Sequence, residues 1–330
     1  MRKKSVKFIL LALALALVMA VALSGCGGGK DNKPAPKFPT KPINMIIAFT
    51  AGGSSDVQAR IVDKYWKDEF GSNLSFQYKI GAGGQVGFTD ITKAPKDGYT
   101  VGGVNVPHIV LQALSPQATF KIEDFTMLCQ VVNDPQVVAV RKESSIKTLA
   151  DLLKEAKAKD GKMTMGIVGT YTGHHVAALK FMDLTGTRYS LVPFQGAADQ
   201  NVALLGGHVE VMIGNLNDIM RDLGKFNILG IAAEKRHPYI KDVATFKEQK
   251  MDFVADIRRG FAVPKGTDPA AVTRLREGFA KICAKPEYIA DMEKIGQPSE
   301  YMSGEDFEKY INGYNKEATM LLDKFGLLKK

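Results

Sequence analysis

The chain has 330 residues, 45% hydrophobic and 24% charged, with a formal net charge of +9. This is globular composition, with enough apolar residues for one large core or two lobes. No dense Lys/Arg tract argues for nucleic acid, and the positive surplus suits anionic ligands or a negative membrane surface without specifying either.

The N-terminus departs from that composition. MRKKSVK supplies a cationic head, FILLALALALVMAVAL (8–23) an apolar run, and LSGC (23–26) the small residues of a cleavage site. Together they predict a secretory signal peptide over residues 1–25, its sixteen-residue apolar run short for a spanning helix, which needs about 20 residues. Its removal takes Arg2, Lys3, Lys4, Lys7 and no acid. LSGC also resembles the bacterial lipobox, which implies acylation of Cys26. GGGKDNKPAPK then reads as part of a polar, flexible tether over residues 26–39. No later apolar run reaches membrane-spanning length, so the body is expected outside the cytoplasm, in a periplasm or on the outer face of a membrane. Of the remaining cysteines, Cys129 and Cys283, a disulfide and two buried free thiols fit equally well.

Beyond the tether, INMIIAF (43–49) predicts a buried strand and DVQARIVDKYWKDEF (56–70) a helix stopped by Gly71. LSFQYKI (74–80) and YTVGGVN (99–105) are the next strands. Residues 144–162 have helical spacing, and KMTMGIV (162–168) is a strand. HHVAALKFMDLTG (174–186) is a helix, YSLVPF (189–194) a strand, ADQNVALLGG (198–207) a helix, and HVEVMIG (208–214) and FNILGIAA (226–233) are strands. The last eighty or so residues are mostly helical. Strands alternating with helices predict βαβ units and a mainly parallel sheet. VVNDPQVVAV (131–140) and MDFVADIRRGFAVP (251–264) are extended, apolar and placed to cross between lobes. Trp66 and Phe70, four residues apart, read as core.

Two glycine turns stand out. YKIGAGGQVGFTD (78–90) has Gly81 and Gly83 of a dinucleotide fingerprint, but Val86 takes the third glycine's place. No acid follows about 20 residues on to hold a ribose, so a nicotinamide site is not expected. IIAFTAGGSSDVQAR (46–60) runs strand, A-G-G-S-S-D, helix. Backbone N–H groups at such a helix N-terminus form a carboxylate or phosphate site, with Ser54 and Ser55 adding hydroxyls. Asp56 is awkward for direct anion contact and suits a first-turn or water-bridging role.

With PTKPINMIIAFTAGGSSDVQAR, GAGGQVG, KAPKDGYT, PFQGAADQNVALLGGHVEVMIGN, AAEKRHPYIKDVATFKE and FAVPKGTDPAAVTRLREGFAKI in unbroken order, the chain resembles the substrate-binding proteins of tripartite tricarboxylate transporters, the TctC or Bug family. The resemblance implies a two-lobed α/β fold of the periplasmic-binding-protein type II (Venus flytrap), each lobe a mixed sheet flanked by helices. The expected division is 40–138 with 256–330 for lobe 1 and 139–255 for lobe 2. It implies a small carboxylate between the lobes, held largely by backbone donors and water.

Carried over, the first-lobe contacts are Ala51, Gly52, Gly53, Ser54, Ser55 and Asp56, with Gly83 and Gly84 in support. The 102–108 segment GGVNVPH, taken as a loop near the ligand, retains Gly103 and His108, and contributes Asn105. From the second lobe come Thr170, Tyr171, Thr172, Gly173 and His175, then Gln195, Gly196 and Asn215, with Gly214 where the family has Asp. Tyr171 is expected to stack on a ligand ring or narrow the pocket.

Neighbouring helical residues point about 100° apart, so His174-His175 suits one metal ion poorly, and no metal is expected. A G-x-S-x-G elbow is absent, which argues against an esterase. The expectation is a monomeric, lipid-anchored receptor, not an enzyme and without cofactor, serving the large and small membrane subunits of a tripartite permease. A receptor for a sensor or another transporter class is the alternative, and a secreted esterase a more distant one.

Overall fold

A computed structural model describes residues 38–328; the expected signal peptide, Cys26 and most of the tether lie outside the described residues. In the first half, strand β1 (Ile43–Ile47) lies between parallel neighbours β2 (Leu74–Tyr78) and β3 (Thr100–Val106). Helix α1 (Ser54–Phe70) joins β1 to β2, and α2 (Gln85–Lys93) joins β2 to β3. The sequence explains α1: Ala59, Val62, Trp66 and Phe70 recur at helical spacing and are buried, and Gly71 ends the helix at φ 68°. A short helix α3 (His108–Ala113) follows β3 directly.

The 17-residue strand β4 (Phe125–Arg141) is shared by both halves. Its residues Phe125–Pro135 pair with β9 (Asp256–Pro264), which also pairs with β3. Its residues Gln136–Ala139 pair with β7 (Val211–Asn215). Around β7 the second half adds β5 (Thr164–Val168) and β6 (Ser190–Phe194), both parallel, and β8 (Phe226–Ile231) on β4. Helices α4 (Leu149–Lys159), α5 (Gly173–Thr185), α6 (Ala197–Leu205) and α7 (Leu216–Met220) belong to this half. The chain then returns through β9 to α8 (Pro269–Cys283), α9 (Pro286–Lys294), β10 (Ser299–Ser303) and α10 (Gly304–Lys324).

The two crossings are tied together: the Gln136 N–H donates to Ala255 O at 2.9 Å, and the Ala232 N–H to Gln136 O at 2.8 Å. Apolar layers cover both faces of each half. Trp66, stacked on Phe70 with centroids 4.0 Å apart, packs with Phe261 and Phe279 on one face of the first. Phe49, Phe88 and Phe307 fill the other. Phe181, Phe246 and Phe253 fill one face of the second half, and Met212, Leu216 and Ile219 the other. At about 2–3 kcal/mol for each large apolar side chain fully buried, these layers dominate over the exposed ion pairs.

Two expectations are corrected. The sheet is mixed rather than mainly parallel, because β4 and β9 run antiparallel to all their partners. These crossings enter the sheet directly, with no helical crossover to set them parallel. GGVNVPH is no loop: residues 102–106 are buried strand and His108 opens a helix. Cys129 and Cys283 are both buried free thiols.

Candidate ligand-binding cleft

The AGGSSD turn folds back on itself. Gly52, at φ +81°, gives its N–H to Asp56 Oδ2 at 2.8 Å. Asp56 Oδ1 accepts from Tyr78 Oη at 2.7 Å and Arg60 Nε at 3.2 Å. Asp56 is thereby turned away, and Gly53, Ser54 and Ser55 form the buried start of α1, with no side-chain cap at Gly53. Helix α6 also starts uncapped, at Gly196. A Cβ on Gly53 would lie 3.7 Å from the Ala197 nitrogen, so the two helix starts face each other closely. A Cβ on Gly196 would overlap Thr50, which explains the glycine there. Each N-terminus carries roughly half a positive charge, and two together make a strong anion-attracting point.

Between the halves lies a cavity of about 20 Å³, the room of about one water. Gly53, Ser54, Ser55 and Ala197 line it, together with Asn105, His108, His174, Asn215, Asp218 and Arg259. A chain of hydrogen bonds crosses it. The Val168 N–H donates to His174 Nδ1 at 3.3 Å, leaving Nε2–H to donate to Asn215 Oδ1 at 2.9 Å. Asn215 Nδ2 donates to Asp218 Oδ2 at 2.7 Å. Asp218 Oδ1 accepts the Ser54 N–H at 3.2 Å, and Ser54 Oγ approaches both Asp218 Oδ1 and Asn217 Oδ1. A protein carboxylate therefore rests on the start of α1, and both halves are joined through it.

Beside it, Arg259 is only 1% exposed and donates from Nη1 to Asp134 Oδ2 at 2.8 Å. The other Asp134 oxygen accepts the Asn217 N–H at 3.3 Å. Burial pushes the Asp134 carboxyl up to about 7; Arg259 opposes this and the Asp218 charge adds to it. Burial holds His108 well below its ordinary range, and the neighbouring His174 ring and Arg259 guanidinium push the same way. Burial also lowers His174, against the bond to Asn215 and the charge of Asp218. Burial therefore favours the neutral form of both rings. Arg259 Nε and His108 Nδ1 are buried polar atoms without a protein partner, and such atoms beside a cavity suit a polar ligand or water.

Of the residues singled out in the sequence, Gly53, Ser54, Ser55, Asn105, His108 and Asn215 come together here. Ala51 and Gln195 are exposed and do not reach the cavity. Gly52 O accepts from Arg221 Nη2 at 2.7 Å. Gly84 packs under Phe49 and Phe88, and a Cβ on Gly83 would lie 2.5 Å from Thr170 O. That oxygen accepts from Gln112 Nε2 at 2.7 Å, so this pair seals one edge of the cleft. Tyr171 is turned from the cavity: its hydroxyl donates to Leu327 O at 3.0 Å. Thr172 caps α5, and Gly173 packs against Pro107 and Ile257. His175 Nδ1 accepts the Tyr171 N–H at 3.2 Å, so His174 and not its neighbour faces the cavity. The roughly 100° between successive helical side chains allows only one of the two there.

Arg259, Asp218 and Asp134 were not anticipated. The signal for Arg259 was an arginine pair inside the apolar run IRRGFAVP, where strand alternation must turn one of the two inward.

Residues 58–327 match the sequence profile described as "Tripartite tricarboxylate transporter family receptor". Among curated proteins, the chain is 30% identical over 247 residues to Protein BugT of Bordetella pertussis, covering 73% of this chain and 76% of that one. Among solved structures, one described as a periplasmic transporter superposes with a TM-score of 0.83 at 29% identity, covering 88% of this chain and 99% of the other. An R. palustris protein with adipate gives a TM-score of 0.83 at 22% identity, over 88% and 99% of the two chains, and shares the fold. The chain belongs to the tripartite tricarboxylate transporter family of receptors.

Proposed function

We propose that this chain is an extracytoplasmic solute receptor, held to a membrane by lipid on Cys26, that binds a small carboxylate between its lobes and delivers it to the membrane subunits of a tripartite transporter. The observation that carries the carboxylate assignment is the meeting of two uncapped helix N-termini, at Gly53 and Gly196, beside the buried Arg259. Aligned N–H groups and a guanidinium stabilise a carboxylate without any titratable partner being required. Adipate on a protein of the same fold is consistent with this class of ligand.

The lobes are residues 40–138 with 256–330, and 139–255. They hinge where the crossings pass from the partners of one half to those of the other, near Pro135–Gln136 and Ala255–Asp256. Ligand touching both halves favours the closed form by its differential affinity for that form. The closed surface is what the permease reads, and the ligand leaves unchanged.

Titration of the purified protein with small carboxylates, followed by thermal shift and by recovery of the ligand, tests this reading. A ligand at 100 times its dissociation constant adds about 2.7 kcal/mol of stability. Saturable binding without turnover is the expected result; hydrolysis of an ester or no response to any acid overturns it. Cys26→Ser should move the protein from the membrane fraction to the soluble one, and unchanged membrane retention would remove the lipid anchor.

A further inference from the structure

Asp218 lies where an incoming carboxylate is expected to lie. Its Oδ1 holds the Ser54 N–H and hydroxyl at the start of α1, and Asn215 Nδ2 holds its Oδ2. Asp218 is 7% exposed and lines the same cavity as Arg259. A ligand carboxylate placed on that helix start must displace the Asp218 carboxylate or sit against it. Either way two carboxylates share one small, water-poor space, where like charges repel strongly.

The cations nearby do not resolve the conflict. Arg259 is already paired with Asp134 at 2.8 Å and has Nε as its unpartnered donor. The His108 and His174 rings are buried, which favours their neutral forms. Arg221 is exposed and bonds the Gly52 carbonyl. What the site lacks is a cation able to sit between the two carboxylates, and the ligand itself can bring one.

We propose that the ligand is a zwitterionic amino acid, its carboxylate on the start of α1 and Arg259 Nε, its ammonium on Asp218, and that Asp218 is the residue selecting for it. This rests on the carboxylate-receptor reading above. An amino acid adds one negative charge fewer to the cavity than the acid that lacks only its amino group. Asp218 then exchanges the Ser54 donors for the ligand ammonium and stays paired throughout.

The test is calorimetric titration with the protein amino acids alongside the acids that lack only the amino group, such as aspartate against succinate and glutamate against glutarate. It is run at about pH 6, where free side-chain carboxyls and α-ammonium groups are largely in their charged forms. The expected result is that the aminated member of the best pair binds at least about tenfold tighter. In Asp218→Asn that ratio should collapse, with the plain acid gaining affinity because the repulsion is gone. Equal or tighter binding of plain acids to the unaltered protein overturns the proposal while leaving the receptor reading intact. A ratio unchanged in Asp218→Asn removes Asp218 as the selecting residue. Silence from every acid, aminated or not, overturns the carboxylate reading itself and this inference with it. The paired-ligand comparison needs no variant, so a folding defect in Asp218→Asn does not protect the idea.

Discussion

Two groups of helix starts in this molecule contrast, apart from α2, α3, α7 and α9, which also lack a side-chain cap. Helices α4, α5, α8 and α10 begin with Thr148, Thr172, Asp268 and Ser303, whose side chains accept an N–H of their own first turn. Helices α1 and α6 begin with Gly53 and Gly196, which have no side chain to do so. A self-capped start has spent its partial charge locally and serves the fold. An uncapped start directed at a cleft leaves that charge for something else, here the Asp218 carboxylate and, in our reading, a ligand. What marks α1 and α6 is an uncapped start that faces its counterpart at the cleft, and substitutions there and at the self-capped starts should have opposite signatures.

The largest effect is expected where the cleft depends on a buried charge. Arg259→Ala leaves Asp134 without its partner and should cost about 3 kcal/mol of stability, since breaking a buried pair costs more than the pair contributes. Urea unfolding measures this, and adding Asp134→Asn should recover part of the loss. A variant as stable as the original would mean that the Arg259–Asp134 pair carries no weight in the fold. Next comes Gly53→Val. A single methyl at Gly53 would meet Thr50 O at 3.5 Å and Ala197 N at 3.7 Å, ordinary contacts, but the two further methyls of valine crowd the α6 start. The variant should fold normally and lose at least about a hundredfold in ligand affinity, or about 2.7 kcal/mol. Gly53→Ala should bind nearly as well as the original. Equal binding by both would show that the gap between the helix starts does not matter.

The contrasting change is Thr172→Ala at a self-capped start. It should cost about 1 kcal/mol of stability and leave ligand affinity within a few-fold. A large affinity loss at unchanged stability would erase the distinction between the two kinds of helix end.

Much of the architecture was legible because it rests on local pattern: α1 and its Gly71 stop, the strand–helix alternation, and the two extended crossings. Short elements with few residues to make a pattern, α3, α7 and β10, were not. Strand β3 was misread at its end because glycines and a proline in GGVNVPH suggest a loop, whereas tight packing explains one of them: a Cβ on Gly102 would collide with Ile91. In the cleft, the glycine-serine turn was legible through helix-terminus chemistry. Asp56, set apart in the sequence as awkward for direct anion contact, bonds Gly52, Tyr78 and Arg60. Asp218 and Arg259 escaped because a charged residue reads as surface in a single sequence; only the register of β9 against β4 and the packing of α7 bring them inside.

The smallest expected effect separates the charges around Arg259. Burial raises the Asp134 carboxyl to about 7, so folding takes up a proton at pH values where the unfolded carboxyl is ionised. The stability this group contributes is full below about pH 4 and is lost as pH rises through about 7. Asp134→Asn has no such proton to lose. The groups facing it, Arg259 and Asp218, and beyond them the buried His108 and His174, are common to both proteins, so their titration largely cancels in the difference. The melting temperature of the variant relative to the original should therefore rise between pH 5 and pH 8, by a few degrees at most. A flat difference over that range would mean that Asp134 is held ionised by Arg259 throughout, and that the pair acts as a fixed dipole in the wall of the cleft rather than as a group that titrates near neutrality.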